Sequence, residues 1–143
     1  MLLFRARDRL CAIPVAEVAE IMRPLPLERL AALPDFVLGL GGIRGASVPV
    51  VDAGALLGGG AVAARPPGRF VLLRVGKRSV ALAVEAVVGV RSLATDALGT
   101  LPPLLGEAGR ELIAAIGAAD GEFLLVLRTV RLAAGSPEAP AHA

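Results

Sequence analysis

Apolar and polar positions change rhythm along this chain in a repeating way. Leu2–Ala6 and Leu10–Pro14 are short apolar runs split by Arg7-Asp8-Arg9, the pattern of a β-hairpin with a polar turn. Phe70–Val75 and Ser79–Val84 repeat it around Gly76-Lys77-Arg78. A third pair, Ile113–Ala118 and Glu122–Arg128, flanks Ala119-Asp120-Gly121, where Asp-Gly is a strong tight-turn signal. Between the first two pairs, Val15–Met22 spaces Val15, Val18, Ile21 and Met22 like a helix. So short a segment is better read as a helical turn at Val15–Val18 running into a strand. Arg23-Pro24-Leu25-Pro26 then stops regular structure. Leu27–Pro34 reads as a connector pinned by its leucines.

The stretch Gly39–Leu57, GLGGIRGASVPVVDAGALL, reads as a tight glycine loop through Ile43-Arg44-Gly45, a strand through Val48–Val51, and a one- or two-turn helix capped by Asp52. Gly58–Gly68 is the linker candidate. Glu85–Leu93, EAVVGVRSL, follows the second hairpin. Thr95–Gly109, with Pro102-Pro103, is a loop leading to a helical turn near Ala108–Leu112. Thr129–Ala134 reads as a closing turn, and 135–143 as a disordered Pro/Ala tail.

A shift of 69 residues lays Leu2–Ile21 over Val71–Val90. Leu3 then meets Leu72, Arg5 meets Arg74, Val15 meets Val84, Val18 meets Val87, and Ile21 meets Val90. Turn, strand and the Val-x-x-Val-x-x-Ile/Val spacing all stay in register, so two similar all-β units are expected. Each is too small to bury a good core alone, so they should pack together. Small barrels would also hide strand edges in so apolar a chain.

Composition narrows the function classes. Mean hydropathy is +0.71, yet every apolar run is cut well short of the roughly 20 residues a membrane span needs. The N-terminus lacks a signal-peptide apolar region, and the one cysteine, Cys11, reads as a buried small hydrophobe rather than half of a disulfide. A cytoplasmic protein, not inserted in a membrane, is expected. Net charge is only +2, and Tyr and Trp are absent, which argues against nucleic-acid binding. The single histidine, His142, lies in the tail, and no metal-ligand spacing occurs. GLGGIRG precedes a strand instead of opening a helix, the wrong context for a dinucleotide loop. A hydrolase would have to use Asp52 or Glu20, and neither has an orienting base or a metal set. No enzyme, cofactor or metal is expected.

Four segments, in order, resemble CheW-like domains, the coupling proteins of bacterial chemosensory arrays. AIPVAEVAEI is similar to the family's AIxVxxVxEI. LPDFVLGLGGIRGASVPVVDAGALLG resembles its core ending in NLRG and PVVDLR. AVEAVVGV resembles VDxVxxV, and IGAADGEFLLVL the late DGxxLLLL hairpin. The resemblance covers residues 2–132. Gly42 replaces the family's Asn, Ile43 its Leu, and Ala53-Gly54 its Leu-Arg. The aromatic usual at Cys11 is missing, and Arg128 stands where an acid is common. These departures bear on partner choice more than on fold.

The resemblance implies an all-β chain of two packed SH3-like five-stranded β-barrels with short helical turns. The first barrel would lie mainly in 12–64 and the second mainly in 65–128, with terminal strands open to exchange, all within a domain of 1–134. It implies a non-enzymatic adaptor that couples the cytoplasmic tip of a chemoreceptor to the regulatory domain of a CheA-type histidine kinase. The receptor groove would fall on Val18 and Ile21 from one copy and Val87 and Val90 from the other. Glu20 and Arg44 match an acidic and basic pair near the groove, with Gly45 in the turn that presents Arg44. Plain core packing remains the competing reading for the four apolar residues, and a surface ion pair for Glu20–Arg44. The alternative function is an SH3-like protein-binding module of a divergent chemosensory system, such as pilus or gliding motility, with other partners.

Overall fold

The computed structural model describes residues 1–57, 66–93, 112–129 and 131–132. The expected linker lies mostly outside them, and the 95–109 loop and the 135–143 tail wholly outside. Ten strands form: β1 Leu2–Ala6, β2 Arg9–Ile13, β3 Val18–Met22, β4 Val37–Ile43, β5 Ala46–Asp52, β6 Arg69–Val75, β7 Arg78–Val84, β8 Ala86–Val90, β9 Ile113–Ala119 and β10 Glu122–Leu127. A 3-10 turn, Val15–Glu17, leads into β3, and the helix α1, Ala53–Leu56, follows β5. Thr129, Arg131 and Leu132 are helical.

Two five-stranded sheets result: sheet I in the order β8-β1-β2-β10-β9, and sheet II in the order β3-β6-β7-β5-β4. The chain is therefore all-β, as the alternating apolar runs require. Each sheet draws on both copies of the repeat, because β3 leaves its own hairpin to pair with β6, and β8 leaves its own to pair with β1.

The 69-residue repeat is a structural repeat. Leu2 pairs with Ile13 across β1–β2, and Val71 with Leu82 across β6–β7. Ile21 pairs with Val71 and Val18 with Leu73, while Val90 pairs with Leu2 and Val87 with Phe4. A register shift falls at the same place in both ladders, at Ala19 and at Val88. The late hairpins also correspond, with an offset of 76: the turns Arg44-Gly45 and Asp120-Gly121 have φ of 52° and 78°, and of 52° and 79°. Positive φ at both turn residues matches the right-handed twist of the flanking strands.

The sequence reading of Gly39–Gly42 as loop needs correcting, because these glycines are strand β4. Their lack of side chains reads locally as looseness, but it serves close packing. A Cβ on Gly39, at φ +154°, would stand 2.6 Å from the carbonyl oxygen of Glu28. That carbonyl accepts from Leu40 N–H at 2.8 Å while Glu28 N–H donates to Leu40 at 2.8 Å, so the connector lies directly on the strand.

Strand alternation sorts apolar residues into three layers. Leu3, Leu10, Ala12, Leu124 and Val126 fill the concave side of sheet I. Ile43, Val48, Val50, Phe70, Leu72, Ala81 and Ala83 fill that of sheet II. Leu2, Phe4, Cys11 and Ile13 of one sheet meet Val51, Val71, Leu73, Val80 and Leu82 of the other in a shared core. Cys11 is fully buried there, and burial pushes its thiol up to about 12.

Candidate docking groove

The expected groove residues stand where the sheets' shared faces reach their edges. β3 and β8 are edge strands by ladder order. The register shift at Ala19 puts Val18 and Ile21 on one face of β3, paired with shared-core residues Leu73 and Val71. The equivalent shift at Val88 puts Val87 and Val90 on one face of β8, opposite Phe4 and Leu2. A strand without a bulge would turn residues three apart to opposite faces. The helix-like spacing seen in the sequence is thus a bulged strand.

Within each pair the two positions differ. Val18 and Val87 are half-buried and pack against the shared core. Ile21 is 42% exposed and Val90 65%. Each edge thus has an inner anchor and an outer apolar side chain open to solvent. Val88, the extra residue of the second bulge, is also exposed.

Arg44 and Glu20 are brought together. Arg44 Nε and Nη2 donate to Glu20 Oε2 at 3.0 and 2.8 Å, and Arg44 is 72% exposed. Glu20 sits on β3 and Arg44 in the turn after β4, at the opposite edge of sheet II. The pair therefore requires the sheet to curl until its two edges approach, although among the described residues no backbone ladder joins them. Gly45 completes the turn at φ +78°. Sheet I has a counterpart of reversed polarity, with Arg91 Nη1 donating to Asp120 Oδ2 at 2.6 Å.

Several contacts escaped the sequence. Arg5 Nη2 donates to Glu122 Oε1 at 2.8 Å, and Arg5 Nη1 to Glu122 Oε2. That bidentate hydrogen-bonded contact lowers the Glu122 carboxyl and raises the Arg5 guanidinium from their ordinary values. Thr129 Oγ1 donates to Glu17, tying the segment after β10 to the turn before β3. Phe123, on the face of β10 opposite Leu124, is 80% exposed. An aromatic in an EFLLVL run carries no local mark of exposure.

The carboxylates that a hydrolase would need are occupied. Asp52 Oδ1 accepts from Gly54 and Ala55 N–H at 3.0 and 3.2 Å, capping α1, and Oδ2 lies 3.8 Å from Arg7 Nη2. The Arg7 side chain fills the space a Cβ on Gly54 would take, with atoms at 2.7 Å. A basic group thus reaches this helix from the β1–β2 turn, although the sequence lacks one in α1. Around it lies a cavity of about 490 Å³, lined also by Leu25, Leu27 and Phe70. Among the described residues no group of three or more His, Cys, Asp or Glu could hold a metal ion. No helix among them is long and apolar enough to cross a membrane.

Two curled five-stranded sheets fused through a shared core, with apolar side chains at their edges, define the class of fold. Residues 1–136 match the CheW-like domain, and the chain belongs to that family. It is 27% identical over 137 residues to the chemotaxis protein CheW of Klebsiella aerogenes, covering 96% of this chain and 82% of that one. It is 30% identical over 119 residues to protein FrzA of Myxococcus xanthus, covering 82% and 73%. The scaffolding protein TtCheW from Thermoanaerobacter tengcongensis has the same fold, with a TM-score of 0.77 at 19% identity over 89% of this chain and 82% of that one. As a CheW-like protein, the chain is a chemotaxis scaffold or adaptor and not an enzyme.

Proposed function

We propose that this protein couples the cytoplasmic tip of a chemoreceptor to the regulatory domain of a CheA-type histidine kinase, in the cytoplasm. The observation that carries the proposal is the placing of Ile21 and Val90. Two strands 69 positions apart in sequence present exposed apolar side chains at equivalent sites, each backed by a half-buried valine on the shared core. Such strips suit the apolar face of a receptor helix, read at i, i+3 and i+4. Arg44 and Glu20, beside the first strip, would set the polar contacts and the orientation of that helix. Binding of the purified protein to a receptor signalling-tip fragment and to a kinase regulatory domain tests the proposal. Retention of both supports it, and loss of both sinks it.

A second reading is a module of a divergent chemosensory system with other partners. The 30% identity to FrzA favours it, being similar to the 27% shared with a CheW. Receptor and kinase genes beside this one would support the first reading, and their absence the second.

A further inference from the structure

The repeat makes each end of the molecule a control for the other, and one comparison fails. In sheet I, Arg5 lies on the concave side of β1, two residues from Leu3, and its guanidinium is held by Glu122 at the start of β10. In sheet II the equivalent of Arg5 is Arg74, two residues from Leu72 on the concave side of β6. The equivalent of Glu122, at the offset that relates Arg44 to Asp120, is Ala46. The arginine is kept and the acid is gone.

A cavity of about 350 Å³ opens where that acid would lie, lined by Ala19, Ile43, Arg44, Ala46, Arg74 and Ser79 among others. Arg44 is already joined to Glu20. Among the described residues no hydrogen bond or ion pair engages the side chain of Arg74, which is exposed. Arg44, Arg74 and Ser79 bring two guanidiniums and a hydroxyl to the cavity wall, with Glu20 bound to Arg44 beside it. A guanidinium fork takes a carboxylate bidentately, as Arg5 does with Glu122.

We propose that the Arg74 cavity seats a carboxylate side chain carried by the docked receptor tip, which supplies in trans the acid that Glu122 supplies in cis in the other sheet. The proposal rests on the adaptor reading, since the carboxylate belongs to the docked partner. The cavity is lined by Ala19, the extra residue of the β3 bulge, and by Arg44, so the seat opens beside the same edge strand that carries Val18 and Ile21, on the other face of sheet II. Apolar docking along the strip gives contact area, and the seat fixes register along the partner's acidic positions.

Two measurements test it. In the first, N-acetyl-glutamate N-methylamide is titrated while the Arg74 Nε–Hε resonance is followed by NMR, with the glutamine analogue as control. A saturable shift with the glutamate compound alone is expected, and Ala46→Glu should abolish the response by filling the seat from within. No saturable shift, or an undiminished one in Ala46→Glu, overturns the seat. In the second, a receptor signalling-tip fragment is bound at low salt. Arg74→Ala and Ala46→Glu should each weaken binding about three- to fivefold, as an exposed charge pair would, with thermal unfolding unchanged. Wild-type binding that both variants match overturns the proposal. If the wild type binds the kinase domain but not the tip, the receptor tip as source of the carboxylate is overturned; if it binds neither, the adaptor reading itself fails, and this proposal with it, whatever the first measurement shows of the seat.

Discussion

Arg44 stays 72% exposed while making two hydrogen bonds to Glu20. Ion pairs in that setting contribute about 0 to 1 kcal/mol to folding. Arg44→Ala should therefore weaken binding to a receptor tip while lowering the thermal midpoint by at most about 4 °C, since each kcal/mol moves a domain near this size by about 2 to 4 °C; calorimetry beside a binding assay separates the two effects. Glu122 behaves differently, because Arg5 holds its carboxyl below the ordinary value. A depressed folded value means that the contribution is full above the unfolded value of about 4.3 and is lost as pH falls through the folded one. Wild type should lose more stability than Glu122→Gln between neutral pH and the acid range, as urea midpoints at both would show. The first pair was legible because motif resemblance marked Glu20 and Arg44. The second was not, since 117 positions separate its members and nothing local links them.

At the level of single strands and turns, polar residues between alternating runs announced three of the four sequential hairpins, because turn chemistry is local. The edge pairings β1–β8 and β3–β6 join distant segments, and no pattern within either strand specifies its partner. β4 was hidden for another reason: strand propensity reflects side-chain packing, and Gly39, Gly41 and Gly42 have none to show. Their roles still differ. Gly39→Ala would set a Cβ 2.6 Å from the Glu28 carbonyl at φ +154°, and should destabilise by about 2 kcal/mol or more. Gly42 has nothing within 4 Å of a Cβ and is exposed, so Gly42→Ala should be neutral or stabilise by up to about 1 kcal/mol. Urea denaturation of the two variants gives the comparison directly.

Over the whole molecule, the shared core joins residues of both sheets into one layer, so neither sheet should unfold by itself. Leu73 is fully buried in that layer, and Leu73→Ala should cost about 2 to 5 kcal/mol. Hydrogen exchange should then show protection falling in β1 and β2 as much as in β6 and β7. A charge placed at the rim should do the opposite: Val90→Asp, at a position 65% exposed, should abolish receptor-tip binding and leave the unfolding midpoint nearly unchanged. The crossing of β3 and β8 between sheets also sets an order of events during synthesis. Sheet II has all its strands once residue 84 has left the ribosome, whereas sheet I must wait for residue 127. Until residue 90 the β1–β2 hairpin has neither of its sheet neighbours, and until residue 127 β2 still lacks β10, so its buried faces are open to any strand that arrives sooner. The earliest part of the chain is thus the last to be sheltered, which makes Leu2–Ile13 the segment a chaperone would hold.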